Sequence, residues 1–189
     1  MLTKGEKKAL LKYSRAVIKA KLKDIKIEYN LPDEPIYKKR YGAFVTLHKN
    51  GELRGCVGYI KAFKSLKETI YDMSIAAAFN DTRFEPLQLL EFNDIEIEIS
   101  VLSELIRIKS IDEIKIGRDG LFMINGHKSG LLLPQVATEY KWDKETFLDQ
   151  TCNKGRMRLG CWKHPLTETY RFTAEIFSEN WEKQFDNKI

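Results

Sequence analysis

With 189 residues, 43% apolar, 11% aromatic and 31% charged, the chain is long enough to bury one sizeable core and too short for two full-sized independent domains. Eleven glycines and five prolines exclude a low-complexity or collagen-like polymer. No stretch reaches the roughly 20 uncharged apolar residues of a spanning helix, so the expectation is a soluble protein without membrane insertion or secretion. The net charge of +5 is localised: residues 1–23 carry eight Lys/Arg against Glu6 alone, whereas the rest carries 24 bases and 26 acids.

In that first segment Leu10, Tyr13, Val17 and Ala20 recur at helical spacing. The lysines therefore read as the solvated face of an amphipathic helix. Only Tyr13 interleaves with them, which gives base stacking little to work with, and nucleic acid is not the expected partner. Asn30-Leu-Pro-Asp-Glu-Pro35 is a surface connection. Residues 41–48 and 53–60 are β-rich and flank Asn50-Gly51, the signature of a hairpin. Ser65 with Glu68 forms a capping box ahead of a helix running to about Phe79. A loop follows over 80–86, then a short helical turn at 87–90. Ile95-Glu-Ile-Glu-Ile-Ser-Val101 alternates apolar and polar residues as a half-buried antiparallel strand does. Beyond the Gly117–Gly120 turn, residues 121–124 and 131–133 form a second hairpin. Pro134 opens a short helix and Asp143 caps another reaching about Asn153. Residues 169–177 alternate as one final strand, followed by a frayed tail.

Strand pairs interrupted by helices without a regular βα repeat imply an α+β fold, an antiparallel sheet flanked by helices with a smaller second lobe. Residues 1–189 form a single domain in this reading, its two lobes sharing a core. Neither G-x-G-x-x-G nor a P-loop is present, and no cofactor is expected on those devices.

Leu53-Arg-Gly-Cys-Val-Gly58 is the most unusual segment, because glycine weakens a strand unless a bulge or a close approach to the backbone requires it. Cys56 reads as a nucleophile or as a small buried thiol, and Arg54 as a group that lowers the thiol pKa or forks onto an anion. Of the three histidines, His48 is best placed for a dyad, because the hairpin returns Cys56 toward it. His127 sits in a glycine-rich turn. Cys161-x-x-His164 resembles half a zinc site but lacks a second pair at matching spacing. Asp81, Arg83 and Glu85 share one loop, and either line a cleft with Arg54 or brace the loop. Three cysteines leave at least one unpaired, which favours a reducing, cytoplasmic setting. A Cys152–Cys161 disulfide enters only if the Lys and Ile richness reflects a thermophilic source.

The ordered segments Leu-Arg-Gly-Cys-Val-Gly (53–58), Asn-Asp-Thr-Arg-Phe-Glu-Pro-Leu (80–87), Ile-Glu-Ile-Ser-Val-Leu (97–102), Gly-Arg-Asp-Gly-Leu (117–121) and Ser-Gly-Leu-Leu-Leu-Pro-Gln-Val-Ala (129–137) resemble the AMMECR-one family, in its archaeal form. The likeness continues through Trp142-Asp143, Phe147-Leu148, Cys152-x-Lys154-Gly155 and Trp162. It implies an α+β domain and supplies no settled reaction. It also implies Memo-type and radical S-adenosylmethionine proteins as functional associates. Some relatives have His where this chain has Asp119, so a histidine mechanism at that turn does not transfer. The working expectation is a cleft in which Arg54, Gly55, Gly58, Asp81 and Arg83 bind a small anionic ligand or a modified protein, with Cys56 as the catalytic thiol. The competing expectation is a non-enzymatic interaction or regulatory scaffold.

Overall fold

Helix α1 (Lys4–Lys23) begins where Thr3 and Glu6 close a reciprocal capping box and ends at Asp24 in the left-handed region. Its buried stripe includes Leu10, Tyr13, Val17 and Ala20, the residues that set the helical period in the sequence. The basic face is partly matched within the fold. Arg15 pairs with Glu179 and donates to the carbonyls of Phe92 and Ile95, Lys7 pairs with Glu175 and Lys19 with Glu28. The computed structural model describes residues 1–180, so the tail expected from the sequence lies, from residue 181, outside the described residues.

After a single turn, α2 (Pro35–Lys38), the hairpin of β1 (Ala43–Lys49) and β2 (Glu52–Tyr59) forms around Asn50-Gly51, with a register shift between Leu47 and His48. Helix α3 (Leu66–Ile75) starts at the Ser65/Glu68 capping box. It continues as a wider π-helical turn over Ala76–Asn80, where a uniform helix to Phe79 is expected from the sequence. Four further strands and two helices follow: β3 (Ile95–Leu102), β4 (Ile106–Arg107), β5 (Gly120–Asn125), β6 (Lys128–Leu132), α4 (Pro134–Glu139) and α5 (Lys144–Lys154). The chain then forms β7 (Glu168–Phe172) and β8 (Ala174–Ser178).

Two four-stranded antiparallel sheets result, in the orders β2-β1-β3-β8 and β4-β7-β5-β6, and the chain is α+β. The sequence reading of 169–177 as one strand is corrected here. At Thr173 the backbone leaves its ladder: its N–H donates to Ser103 Oγ (2.9 Å), and its carbonyl accepts from the Ser103 N–H (2.8 Å). One alternating run thus supplies β7 to one sheet and β8 to the other.

The strands and helices group into two compact units, Met1–Leu102 together with the chain from Glu175, and Ser103–Ala174. Each unit buries an apolar cluster. In the first unit Val45, Leu47, Ile97 and Ile99 face α1 and α3 residues such as Leu10, Ile18 and Ile70. In the second, Leu121 and Met123 of β5 pack with Ala137, Phe147 and Leu148 of α4 and α5. A sheet with helices on one face is a complete two-layer unit, which is why each cluster closes on itself.

Candidate functional site

Strand β2 is an edge strand of the first sheet, and an edge leaves a row of backbone donors and acceptors unpaired. At Cys56 the 80–86 loop fills this gap. Asp81 Oδ2 accepts from the Cys56 N–H (2.9 Å), and Arg83 Nη2 donates to the Cys56 carbonyl (3.2 Å). Arg83 also forks onto Asp81, with Nε–Oδ1 at 2.9 Å and Nη2–Oδ2 at 2.6 Å. The carboxylate and guanidinium stand in for the peptide group of a neighbouring strand. Arg83 holds the Asp81 carboxyl well below the ordinary range, outweighing the opposing effect of burial, and the Cys56 N–H adds to the lowering.

Because its N–H and C=O point outward, Cys56 faces Thr46 of β1 as a non-hydrogen-bonded pair, the arrangement that brings cross-strand side chains closest. The Thr46 hydroxyl donates to Cys56 Sγ at 3.2 Å. Burial pushes the thiol pKa up, and the Thr46 hydrogen bond and the Arg83 charge offset only part of that. The expected thiolate is therefore disfavoured.

Arg54 does not activate Cys56 either. Its Nε and Nη2 grip the two oxygens of Glu91 at 3.1 and 2.9 Å, and Lys49 joins the same carboxylate at 2.9 Å. The pair is substantially enclosed, with side chains 14% and 18% exposed. Arg54 lowers the Glu91 carboxyl to about 2, against an opposing effect of burial. The Phe84 ring lies near both guanidiniums, 5.9 Å from that of Arg54 and 5.4 Å from that of Arg83, which ties the two ion pairs into one patch.

The two glycines have packing reasons. A Cβ on Gly55 would overlap the Ala77 carbonyl oxygen in the π-helical turn, and one on Gly58 would overlap the Phe44 ring. At Gly55 the close approach to the backbone expected from the sequence is made by the Ala77 carbonyl. The Cys/His dyad is not formed: Cys56 lies opposite Thr46, whereas His48 lies opposite Leu53, beyond the register shift. His127 is exposed in the β5–β6 turn.

The half zinc site is also replaced, because Cys161 is bonded to Cys152. Among the described residues no group of three or more His, Cys, Asp or Glu is arranged to hold a metal ion. Asp119 is fully buried, accepts from the Lys115 N–H at 2.8 Å and is gripped by Arg118. Burial raises its pKa, but Arg118 and the Lys115 N–H outweigh this and keep the carboxyl below its ordinary value.

Of the residues expected at the site, the structure brings Arg54, Cys56, Asp81 and Arg83 to one edge. It adds Glu91, Phe84 and Thr46, which sequence reasoning missed. Glu91 follows two leucines in a short 3-10 turn, Leu89–Glu91, where it also accepts from the Gln88 N–H. Only that local capping role had a signal in the sequence.

Comparison with known proteins places the chain. The AMMECR1 family model matches residues 11–177. A protein of Methanothermobacter thermautotrophicus is 41% identical over 188 residues, covering 95% of this chain and 97% of its own length. One from Sulfolobus acidocaldarius is 40% identical over 183 residues, covering 91% and 81%. The crystal structure of an uncharacterised protein from Pyrococcus horikoshii superposes with a TM-score of 0.83 at 36% identity, over 92% of this chain and 91% of that one. The match runs through the braced β2 edge and both sheets, and the chain belongs to the AMMECR1 family.

Proposed function

We propose that this chain is a non-enzymatic interaction or regulatory protein of the cytoplasm, and that the Arg-Gly-Cys-Val-Gly segment is a braced structural edge within it. One observation carries the reading. The charged groups of the two most distinctive segments are already engaged within the fold, Arg54 with Glu91 and Asp81 with Arg83 on the backbone of Cys56. A nucleophilic thiol needs thiolate character and a proton acceptor within reach. Cys56 instead receives a hydrogen bond from Thr46 and has its pKa raised by burial. The same ion pairs clamp the 80–91 segment and leave Leu89 and Leu90 exposed beside Glu91, Leu90 at 92%. A rigid turn with apolar tips suits contact with a protein partner. Among the described residues no helix is long and apolar enough to cross a membrane.

The resemblance makes Memo-type and radical S-adenosylmethionine proteins the first partners to try. A second reading, capture of a small anion or a modified protein, draws on Arg83, whose side chain is 52% exposed although Asp81 offsets its charge.

Alkylation of Cys56 by iodoacetamide tests the assignment, and Cys56 is the single free cysteine, so the signal has one source. The expected result is slow reaction with an apparent pKa above the ~8.5 of a free thiol. Rapid reaction with an apparent pKa below that value would restore the catalytic reading.

A further inference from the structure

The second unit contains a cleft of about 320 Å³ that the proposed function does not use. Its lining includes Arg107, Lys109, Lys163 and His164 and no acid, with the hydroxyl residues Ser110, Thr167 and Thr169 between them. We infer that this cleft binds a small phosphorylated molecule.

Both walls are fixed independently of any ligand. On one, Arg107 ends β4, and Glu113 accepts from the backbone N–H groups of Lys109 (2.8 Å) and Ser110 (3.1 Å), holding the segment that follows. On the other, the Cys161–Lys163 turn is bonded to α5 through Cys152. Asp149 of α5 also accepts from the Gly160 N–H (2.7 Å) and from Trp162 Nε1 (2.8 Å). The Lys163 ammonium lies 4.6 Å from the Trp162 ring centroid. The His164 Nδ1 accepts from the Leu166 N–H (3.2 Å), which in the neutral ring leaves Nε2 as the donor nitrogen. Fixed walls matter because a backbone already ordered loses little freedom when an anion arrives.

The acids nearby select the ligand. Glu168 stands 3.4 Å from Arg107, and Asp112 and Glu113 face the capped turn at Ser110. A single carboxylate would merely replace Glu168 on Arg107. A phosphate brings more charge and more acceptors, and Lys109, Lys163 and His164 can share it. The volume is at the small end of the roughly 300–1,000 Å³ of ligand pockets, a fit for a compact phosphate ester or diphosphate.

The test is isothermal titration of the full chain with inorganic pyrophosphate at about 100 mM salt, where surface charges are largely screened beyond a Debye length of roughly 10 Å. The expected result is saturable binding at one site, weakened about tenfold or more in Lys109→Gln/Lys163→Gln, as loss of two charge-assisted contacts requires. The exposed pair Lys61→Gln/Lys67→Gln, outside the cleft, should bind as the unaltered protein does. Absence of binding at millimolar pyrophosphate, or equal loss in both double variants, overturns the assignment. So does tighter binding of a single-stranded oligonucleotide that pyrophosphate does not displace, because the lysines would then serve a nucleic-acid surface.

Discussion

Replacing Glu91 by Gln tests whether the Arg54–Glu91 pair holds the 80–91 segment on the β2 edge. A carboxyl held at about 2 against an ordinary 4.5 corresponds to roughly 3 kcal/mol at neutral pH if it were fully shielded. Residual solvent at side chains 14% and 18% exposed reduces this to about 2 kcal/mol. The sign is fixed by the downward shift. The stabilisation is complete above the unfolded value near 4.5, declines as pH falls toward the folded value near 2, and is absent below it. Urea unfolding at pH 7 and at about pH 3 should therefore show a large gap between the unaltered chain and Glu91→Gln at the first pH and a smaller gap at the second. A gap below about 0.5 kcal/mol at pH 7, or one that does not change with pH, would mean that the pair contributes no more than an ordinary surface bridge.

Asp81→Ala removes both the partner of Arg83 and the acceptor of the Cys56 N–H. It should cost about 2 kcal/mol and raise the iodoacetamide rate at Cys56 severalfold, read by unfolding and by mass spectrometry. Gly55→Ala should destabilise by about 2–4 kcal/mol in urea melts, since its Cβ meets a backbone carbonyl rather than a movable side chain. The Cys152–Cys161 bond closes a loop of sequence separation 9, so Cys161→Ser should cost about 2.5 kcal/mol by the loop-entropy relation. Calorimetry would register this as a fall in Tm.

The local elements are legible because their causes are local. The spacing of Leu10, Tyr13, Val17 and Ala20 and the Ser65/Glu68 box define helices from neighbours a few residues away. Asn50-Gly51 and the alternation over 95–101 do the same for the first hairpin and for β3. The ordered segments likewise carry the family, over 11–177. Tertiary structure decided what such patterns do not encode. Alternation at 168–178 is identical whether it serves one sheet or two, and the Ser103 contact at Thr173 separates β7 from β8. The partner of Arg54 is Glu91, 37 residues away. The thiol of Cys56 depends on which residue stands across the ladder, and that residue is Thr46, whereas His48 stands across from Leu53. Sequence spacing reports the period of a strand or helix, whereas ion pairing, edge capping and pKa depend on which chain segment arrives from elsewhere.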